Sequence, residues 1–220
     1  MKIIAIDTTT PALALGIADG KKEYGCDIRL GMKHSMLLVP FIERAVARAG
    51  VALKDVDYYA CGIGPGSFTG VRVGLSTIKG LCWALSKPII GIPSLDSIAR
   101  NVPEQYGDAP IVPVCDAKRG LVYAALYKRK GNTYVRKSGY MLVLPQELVR
   151  KVDKSAIFTG DAAHMYRDIF MQGAKNARFL DKDYWYPTSH ALLAAVTEKL
   201  RKGKKDDLFK LNPMYLYPKE

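Results

Sequence analysis

The sequence has few of the residues from which metal and redox sites are usually built. It contains three histidines and four cysteines in 220 residues. The cysteines stand far apart and none forms a Cys-x-x-Cys pair, which disfavours zinc and dithiol redox sites. We predict buried, reduced thiols instead, as is usual in a reducing compartment. The four residues are Cys26, Cys61, Cys82 and Cys115.

Long apolar segments are also missing. No run is long enough to span a membrane, and residues 1–7 reach an acidic side chain too early for a secretory signal peptide. We therefore expect a cytoplasmic protein with no membrane partner. The hydrophobic content of 49% supports a sizeable core, and the length suits one compact domain or two small ones.

Acidic residues are scarce relative to basic ones. The chain has 33 lysines and arginines against 21 acids, a formal net charge of +12. This charge indicates either a polyanionic partner such as RNA or a basic, solvated surface. Few aromatic residues interleave with the basic clusters, and short charge runs usually lie on loops, so a solvated face is favoured. The clusters lie at residues 128–130, 136–137, 150–151, 201–202 and 204–205.

A glycine-rich stretch, residues 62–74, is the most distinctive feature of the chain. It follows an apolar run that predicts a buried strand, 58–63, and precedes a periodic segment that predicts a helix, 71–85. It matches neither the Walker loop nor the dinucleotide fingerprint. It can be an anion site at the helix N-terminus or a tight turn that packs a helix on its strand. Its turn residues are Gly64, Pro65, Gly66, Ser67, Thr69 and Gly70, with Ser67 or Thr69 as the helix cap.

The pattern of strands repeats, which predicts two α/β halves. A polar, turn-rich segment near residues 102–110 separates them, so we place the boundary between 1–105 and 106–220, with the apolar C-terminal tail docking back on the body. Each half opens with three predicted strands, 2–7, 12–18 and 22–29 in the first and 111–115, 121–127 and 132–142 in the second.

The first strand of each half ends in an acidic residue, Asp7 or Asp116. Beside a threonine turn such as Thr8-Thr9, a carboxylate can hold a hydrated cation or a phosphate-bound metal. It can equally cap the turn by accepting hydrogen bonds from nearby backbone N–H groups. Both interpretations remain open from the residues alone.

Two predicted helices, 35–49 and 69–85, are apolar on more than one side. A helix of this kind needs a second packing partner. That partner is either the rest of its own lobe or another protein, and the pattern does not favour one over the other.

At several points the chain resembles the bacterial TsaB (YeaZ) family. The resemblance rests on the glycine joint 64–74, the opening 6–9, the His34-Ser35 pair, the segment 116–123 and the closing 213–216. These motifs occur in order over nearly the whole chain, so the resemblance is specific.

The resemblance implies two ribonuclease-H-like lobes of the actin, sugar-kinase and Hsp70 (ASKHA) superfold. It also implies a role in tRNA threonylcarbamoyladenosine biosynthesis, as a non-catalytic scaffold and activator of a TsaD-type catalytic subunit, together with a TsaE-type ATPase. Contact with tRNA is expected through the complex, and no cofactor is expected. The alternative is an enzyme in its own right: a metal- and ATP-dependent transferase, an ATPase or a glycoprotease-like peptidase.

One departure from the TsaD pattern is the reason to expect a non-catalytic role. TsaD-type sequences carry a His-x-x-x-His metal pair after the glycine joint and its helix, and the register here puts Ser94 and Ile98 at those positions. Serine is a poor ligand for a catalytic divalent metal and isoleucine cannot ligate one. His34, His164 and His190 are too scattered to rebuild the site, so no metal and no catalytic residue is predicted.

The resemblance also selects a partner face, because TsaB and TsaD are thought to pair through the first-lobe helices as a bundle. The same face is expected to form a homodimer when TsaD is absent. The interface residues are then Leu38, Ile42, Val46, Val71, Arg72, Leu75, Ile78, Lys79 and Cys82. The residues that would remain from a nucleotide-facing site are Asp7, Thr8, Thr9 and Asp116.

Overall fold

The structure, a computed structural model, describes residues 1–29, 31, 34–131 and 133–218. The side chains of His34 and Ser35, which contribute to the family resemblance, lie outside this description. The strands are β1 (Lys2–Asp7), β2 (Ala12–Asp19), β3 (Lys22–Arg29), β4 (Tyr58–Gly62), β5 (Ile89–Ile92), β6 (Ile111–Lys118), β7 (Leu121–Ala124), β8 (Tyr127–Lys130), β9 (Thr133–Arg136), β10 (Met141–Val143), β11 (Ile157–Thr159) and β12 (Arg178–Phe179). The α-helices are α1 (His34–Ala49), α2 (Phe68–Leu85), α3 (Ser94–Arg100), α4 (Pro145–Val149), α5 (Asp161–Met165), α6 (Arg167–Gly173) and α7 (Ser189–Arg201).

The two halves contain sheets of the same design. In the first, the order is β3-β2-β1-β4-β5, with an antiparallel meander followed by two parallel strands. In the second, β10-β7-β6-β11-β12 repeats this order with the same strand directions. The prediction of two α/β halves is therefore confirmed.

The second meander differs from the predicted one. The segment 132–142, predicted as one strand, contains two strands, β9 and β10, that pair with different neighbours. An additional antiparallel hairpin, β8–β9, stands between β7 and β10, and β8 pairs with β6 only at Tyr127 and Ile111. Ser138-Gly139, a dipeptide typical of turns, lies between β9 and β10. The sequence therefore contains a signal for the division, but nothing local indicates that β9 pairs with β8 and β10 with β7.

In the first sheet, β1, β2, β4 and β5 are apolar at successive positions because both of their faces are covered, whereas the edge strand β3 is mostly exposed and polar. Ile4 and Ile6 of β1 point to one face and join the core formed with α1 and α2. Ile3 and Ala5 point to the other face, where they pack with Leu192 and the rest of the apolar stripe of α7.

The second sheet is covered in the same way. Val112 and Val114 pack on the side of α4, α5 and α6, where Phe158 stacks on Phe170 at a centroid distance of 4.7 Å. On the other face, Ile111 packs with residues of α3 and with Tyr127. Both lobes are thus three-layered α/β/α structures.

The compact units do not coincide with the division at residues 105 and 106. One unit comprises Met1–Ser94 and Pro187–Met214, and the other comprises Leu95–Tyr186 and residues 215–218. The chain returns to the first unit because α7 covers the apolar face of the first sheet. The amphipathic pattern of α7 predicts a buried stripe, but it carries no information about which sheet that stripe covers.

No helix among the residues described above is long and apolar enough to cross a bilayer.

Candidate functional site

The acid that ends β1 closes its own turn. The Oδ1 atom of Asp7 accepts a hydrogen bond from the backbone N–H of Thr9 at 2.8 Å, and the Thr9 hydroxyl lies 2.6 Å from the same oxygen. The Ser94 hydroxyl donates to the other carboxylate oxygen, Oδ2, at 3.0 Å, and lies 2.7 Å from the Thr9 hydroxyl. All three side chains are buried. This is the hydrogen bonding of a turn cap, linked to the start of α3 by a hydroxyl.

Glycines of the signature stretch pack directly against this turn. A Cβ atom on Gly70 would overlap the carbonyl oxygen of Thr8, and one on Gly74 would overlap the Thr8 hydroxyl. The Thr8 hydroxyl in turn donates to the Gly70 carbonyl at 2.7 Å. A Cβ atom on Gly66 would overlap the carbonyl oxygen of Thr9, and one on Gly62 would overlap the carboxylate of Asp7. The glycine spacing therefore reflects the close approach of a helix and a turn.

Several donors at the start of α2 are already used within the chain. The N–H of Ser67 donates to the Thr9 carbonyl at 2.7 Å, and the N–H groups of Gly70 and Val71 donate to the Ser67 side chain and carbonyl. Ser67 is the N-cap, whereas Thr69 lies exposed in the first turn of the helix. Of the two interpretations left open for this stretch, the contacts favour the tight turn over the anion site.

Gly64 and Pro65 lie in the turn between β4 and α2. Gly64 has a φ of 94°, a left-handed conformation that favours glycine, and it precedes Pro65 through a cis peptide bond. The Gly64 carbonyl accepts from the N–H of Ser94, and the N–H of Met214 donates to the neighbouring Ile63 carbonyl at 2.7 Å. The C-terminal segment is thus fastened to the joint within the first unit.

The two positions aligned with the TsaD metal pair both lie in buried surroundings. Ser94 is engaged with Asp7 and Thr9, and Ile98 belongs to the apolar core on one face of the second sheet. Within the described part of the chain, no three His, Cys, Asp or Glu side chains gather at metal-binding separations. His164 and His190 are exposed in different units, and His190 pairs with Glu23 at 3.0 Å.

The second acid turn has the same backbone pattern in different surroundings. Asp116 Oδ1 accepts from the N–H of Lys118 at 2.8 Å, two residues on, as Asp7 does from Thr9. Its other oxygen pairs with the Lys118 amine at 2.6 Å, and the Lys118 side chain is 82% exposed. Lys118 and Arg119 adopt left-handed φ angles of 66° and 54°. The structure thus places Asp7 and Asp116 each in a turn cap, in separate units.

Asp161 supports the Asp116 turn from α5. It accepts a hydrogen bond from the Asp116 N–H at 3.0 Å. Burial raises the pKa of the Asp161 carboxyl, and hydrogen bonds from the N–H groups of Asp116 and Ala162 oppose that shift. The sequence predicted a helix start at Asp161, but not its contact with Asp116, which is 45 residues away along the chain.

Most of the predicted interface residues face the core of their own lobe, which corrects the prediction. The burial follows from the width of the apolar surface: α1 and α2 each turn one apolar stripe onto the first sheet, and the predicted residues belong to that stripe. Val46 and Lys79 are half-buried, and only Arg72 is fully exposed. The buried members are Leu38, Ile42, Val71, Leu75, Ile78 and Cys82.

The outward face of α2 is a different stripe of the same helix. Three small residues, Ser76, Gly80 and Ala84, follow one another at four-residue spacing and are exposed. Large apolar side chains flank them: Phe68 is 55% exposed and Trp83 is 72% exposed. The sequence analysis did not predict this stripe, because the predicted interface followed the large apolar residues of the helix.

A shallow apolar cleft adjoins the C-terminal end of this stripe. Gly80 and Trp83 form one side of it, and Leu208 and Phe209 of the C-terminal segment form the other. Phe209 is 78% exposed. At the opposite end of the helix, the guanidinium of Arg72 lies 3.6 Å from the ring centroid of Phe68. On α1, Met36 and Val39 are also strongly exposed.

The cysteine prediction holds for three of four residues. Cys61, Cys82 and Cys115 are buried free thiols, and Cys26 is a half-buried one. Burial raises the pKa of the Cys82 thiol to about 12 and that of Cys61 further still. Thiols of this kind are unreactive at neutral pH.

Comparison with known proteins gives the family. The chain is 27% identical to the tRNA threonylcarbamoyladenosine biosynthesis protein TsaB of Escherichia coli, over 98% of this chain and 94% of that one. It is 30% identical to the Bacillus subtilis protein of the same name, over 77% and 75% of the two chains. The chain belongs to the TsaB family. Residues 30–219 also match a family model described as TsaD, tRNA N6-adenosine threonylcarbamoyltransferase.

The structural comparisons agree with this membership of the TsaB family. YeaZ from Pseudomonas aeruginosa superimposes with a TM-score of 0.85 at 23% identity, covering 98% of this chain and 99% of that one. A ROK hexokinase from Thermus thermophilus matches with a TM-score of 0.50 at 15% identity, over 90% and 99% of the two chains. The fold is thus that of the ASKHA superfold, as the resemblance implied.

Proposed function

We propose that this chain acts in tRNA threonylcarbamoyladenosine biosynthesis as a non-catalytic subunit that activates a TsaD-type transferase, in a complex that includes a TsaE-type ATPase. Family membership supports the pathway. The closed turn at Asp7, and the Ser94 and Ile98 side chains at the positions of the TsaD metal pair, support the non-catalytic role. Residues that would face a nucleotide in an active relative are here engaged with one another.

The observation that carries the partner role is the outward stripe of α2. Gly80 lies in the middle of a helix, where glycine is less favourable than alanine by about 1 kcal/mol. A Cβ at Gly80 would meet no atom of the described chain within 4 Å, whereas Gly70 and Gly74 of the same helix are required by Thr8. The packing of the lobe therefore does not explain why position 80 is a glycine.

Small residues at four-residue spacing allow another helix to approach closely, because interaxial distance depends on the side chains at the contact. Phe68 and Trp83 would anchor the ends of such a contact, and large exposed aromatic side chains are typical of binding hot spots. Exposed apolar surface of this kind marks a partner site. The partner surface proposed here thus stays on the predicted helices but uses their outward stripes.

We propose that the same surface also forms a homodimer of the isolated chain. A face that accepts the corresponding helix of a related subunit can accept a second copy of the chain in the same way. We expect the homodimer and the complex with the TsaD-type subunit to be mutually exclusive.

The test of this surface is Gly80→Gln. The added side chain projects into open space in the isolated chain, so thermal stability should be unchanged or slightly higher. Binding to the TsaD-type subunit, measured by isothermal titration calorimetry, should weaken about 30-fold or more, the effect of disrupting a hot spot of about 2 kcal/mol.

The matched control is Ala194→Gln, which adds the same side chain at an exposed position of α7 in the same unit. It should bind normally. A stable Gly80→Gln variant that binds the TsaD-type subunit as tightly as the parent would rule out this surface.

The match to the transferase family model supports an alternative, in which the chain is itself a transferase. Reconstitution decides between them. Modification of unmodified tRNA is measured with all subunits and with each one omitted. We expect no turnover by this chain alone and a large loss when it is left out. Turnover in the absence of the TsaD-type subunit would establish the alternative.

A further inference from the structure

One segment of the second unit is basic over its whole length. Residues 117–146 contain seven lysines and arginines and no aspartate or glutamate. This one segment therefore carries a charge of +7 within a chain whose net charge is +12. Most of these cations lie in or beside the β8–β9 hairpin. They are Lys118, Arg119, Lys128, Arg129, Lys130, Arg136 and Lys137.

The register of the hairpin separates its side chains into two faces. Lys128 pairs with Val135 and Lys130 pairs with Thr133, and all four are exposed. Tyr127 and Arg129 alternate with the lysines and are buried. The two lysines lie on one face, about 7 Å apart along the strand.

The buried face fastens the hairpin to the rest of its unit. The Arg129 guanidinium donates to the Val102 carbonyl and to the Tyr134 hydroxyl, the latter at 2.7 Å. The Tyr127 hydroxyl donates to the Asp96 carboxylate on α3. A cationic guanidinium near the carbonyl end of a helix is electrostatically favourable. The hairpin is thus held in place from one side, and its lysine face remains open.

The open face is not neutralised by the protein. Among the described residues, no carboxylate lies at ion-pairing distance from Lys128, Lys130 or Lys137. The large apolar side chain on this face is that of Val135, which is 36% exposed, and no aromatic side chain accompanies it among the exposed residues of β8 and β9. Protein interfaces are depleted of lysine at their cores and depend on aromatic and apolar anchors, so this surface does not fit a protein partner.

Phosphate contacts are made by lysine, arginine and hydroxyl side chains, which is the composition of this face. We propose that the β8–β9 hairpin contacts the phosphodiester backbone of RNA, with Lys128 and Lys130 as the principal contacts. A hairpin already held by Arg129 and Tyr127 loses little conformational freedom on binding. The proposal does not depend on the partner surface of α2, because the hairpin is tested on the chain alone.

The experiment is the double variant Lys128→Gln with Lys130→Gln, titrated by fluorescence anisotropy against unmodified bulk tRNA at several salt concentrations. Each lost phosphate contact reduces the slope of log K against log salt by about 0.7 to 0.9. The slope should therefore decrease by about 1.4 to 1.8 for the pair, and the affinity at low salt should fall.

The matched control is Lys21→Gln with Lys22→Gln, an exposed lysine pair at the β2–β3 hairpin of the other unit. It changes the net charge equally and should leave the slope unchanged. Thermal melting checks that both variants fold. An equal loss in both pairs, or no loss in the first, would refute the proposal. It would also be refuted if polyglutamate displaced the tRNA at equivalent charge, since this would indicate an acidic protein instead.

Discussion

The two acid turns share a backbone pattern and differ in everything around it. In each, an aspartate of the first strand of a sheet accepts the N–H of the residue two positions later, but Asp7 ends β1 whereas β6 continues past Asp116 to Lys118. Around Asp7 the further partners include the buried hydroxyls of Thr9 and Ser94, whereas Asp116 pairs with the exposed Lys118 amine. Water can replace a partner in the second turn but not in the first.

This difference shows that a repeated motif does not imply a repeated role. The first turn is enclosed because glycines of α2 let a helix approach it closely. The short helix near the second turn, α5, contributes the carboxylate of Asp161. The first turn is therefore a packing element, and the second is an open, charged loop.

The largest effect should come from filling the space between α2 and the first turn. In Gly70→Ala, the new Cβ would overlap the backbone oxygen of Thr8, which cannot move without disrupting β1. We expect a loss of about 3 kcal/mol in the free energy of unfolding, at the upper end for overpacking, measured by urea denaturation.

Gly80→Ala is the control on the same helix. Its Cβ meets open space, so the variant should gain up to about 1 kcal/mol from helix propensity. If both alanine variants had the same stability, the glycines of α2 would not be required by the close approach.

Smaller losses of stability, of unequal size, are expected for Asp7→Asn and Asp116→Asn. Asp7→Asn replaces a carboxylate oxygen by an amide NH2 group that faces the Ser94 hydroxyl, and a buried hydrogen bond lost in this way costs about 2 kcal/mol. Asp116→Asn can still accept the Lys118 N–H, and the released amine is solvated, so the cost should stay below about 1 kcal/mol. Both are measured by thermal and urea unfolding.

In both variants the reconstituted tRNA modification should survive, once the fraction of folded protein is taken into account. Equal destabilisation by the two substitutions would contradict the contrast between the turns. Loss of modification without loss of stability would assign one of the acids a chemical role.

The smallest effect concerns pH and Asp161. Because burial raises its native-state pKa, the native state binds a proton more readily than the unfolded state. The stabilisation from this group is therefore fully present below the unfolded-state pKa and is lost as the pH rises through the native-state pKa. Asp161→Asn removes this dependence while the amide oxygen can still accept the Asp116 N–H.

We thus expect the free energy of unfolding of Asp161→Asn, relative to that of the parent, to be highest at pH 7. This relative stability should decrease as the pH is lowered toward 4. Urea denaturation of both proteins across this range is the measurement. A stability difference that stays constant with pH would show that the carboxyl titrates alike in the folded and unfolded chains.

The lobes and the main elements were predictable from the residues. Apolar runs bounded by turn residues predicted the strands of both halves, and the joint before α2 was recognisable because glycine and proline permit or restrict backbone angles locally. The capping of a turn by Asp7 was one of two interpretations available, since an aspartate after a strand bonds nearby N–H groups whatever the fold.

Other features depended on distant parts of the chain. Ser94 completes the Asp7 network from 87 residues away, and Gly70 and Gly74 are required by Thr8, which local patterns do not relate. The inserted β8–β9 hairpin was not predicted, although Ser138-Gly139 separates β9 from β10, because the choice of strand partners depends on the folded sheet.

The sequence by itself determined that α1, α2 and α7 have apolar stripes, since helical periodicity is a local property. Only the tertiary structure decided which stripe of α2 faces the sheet and which faces outward, and which sheet α7 covers. The reason is physical: an apolar stripe is stabilised by any apolar surface of matching shape, and the choice among such surfaces depends on the packing of the whole lobe.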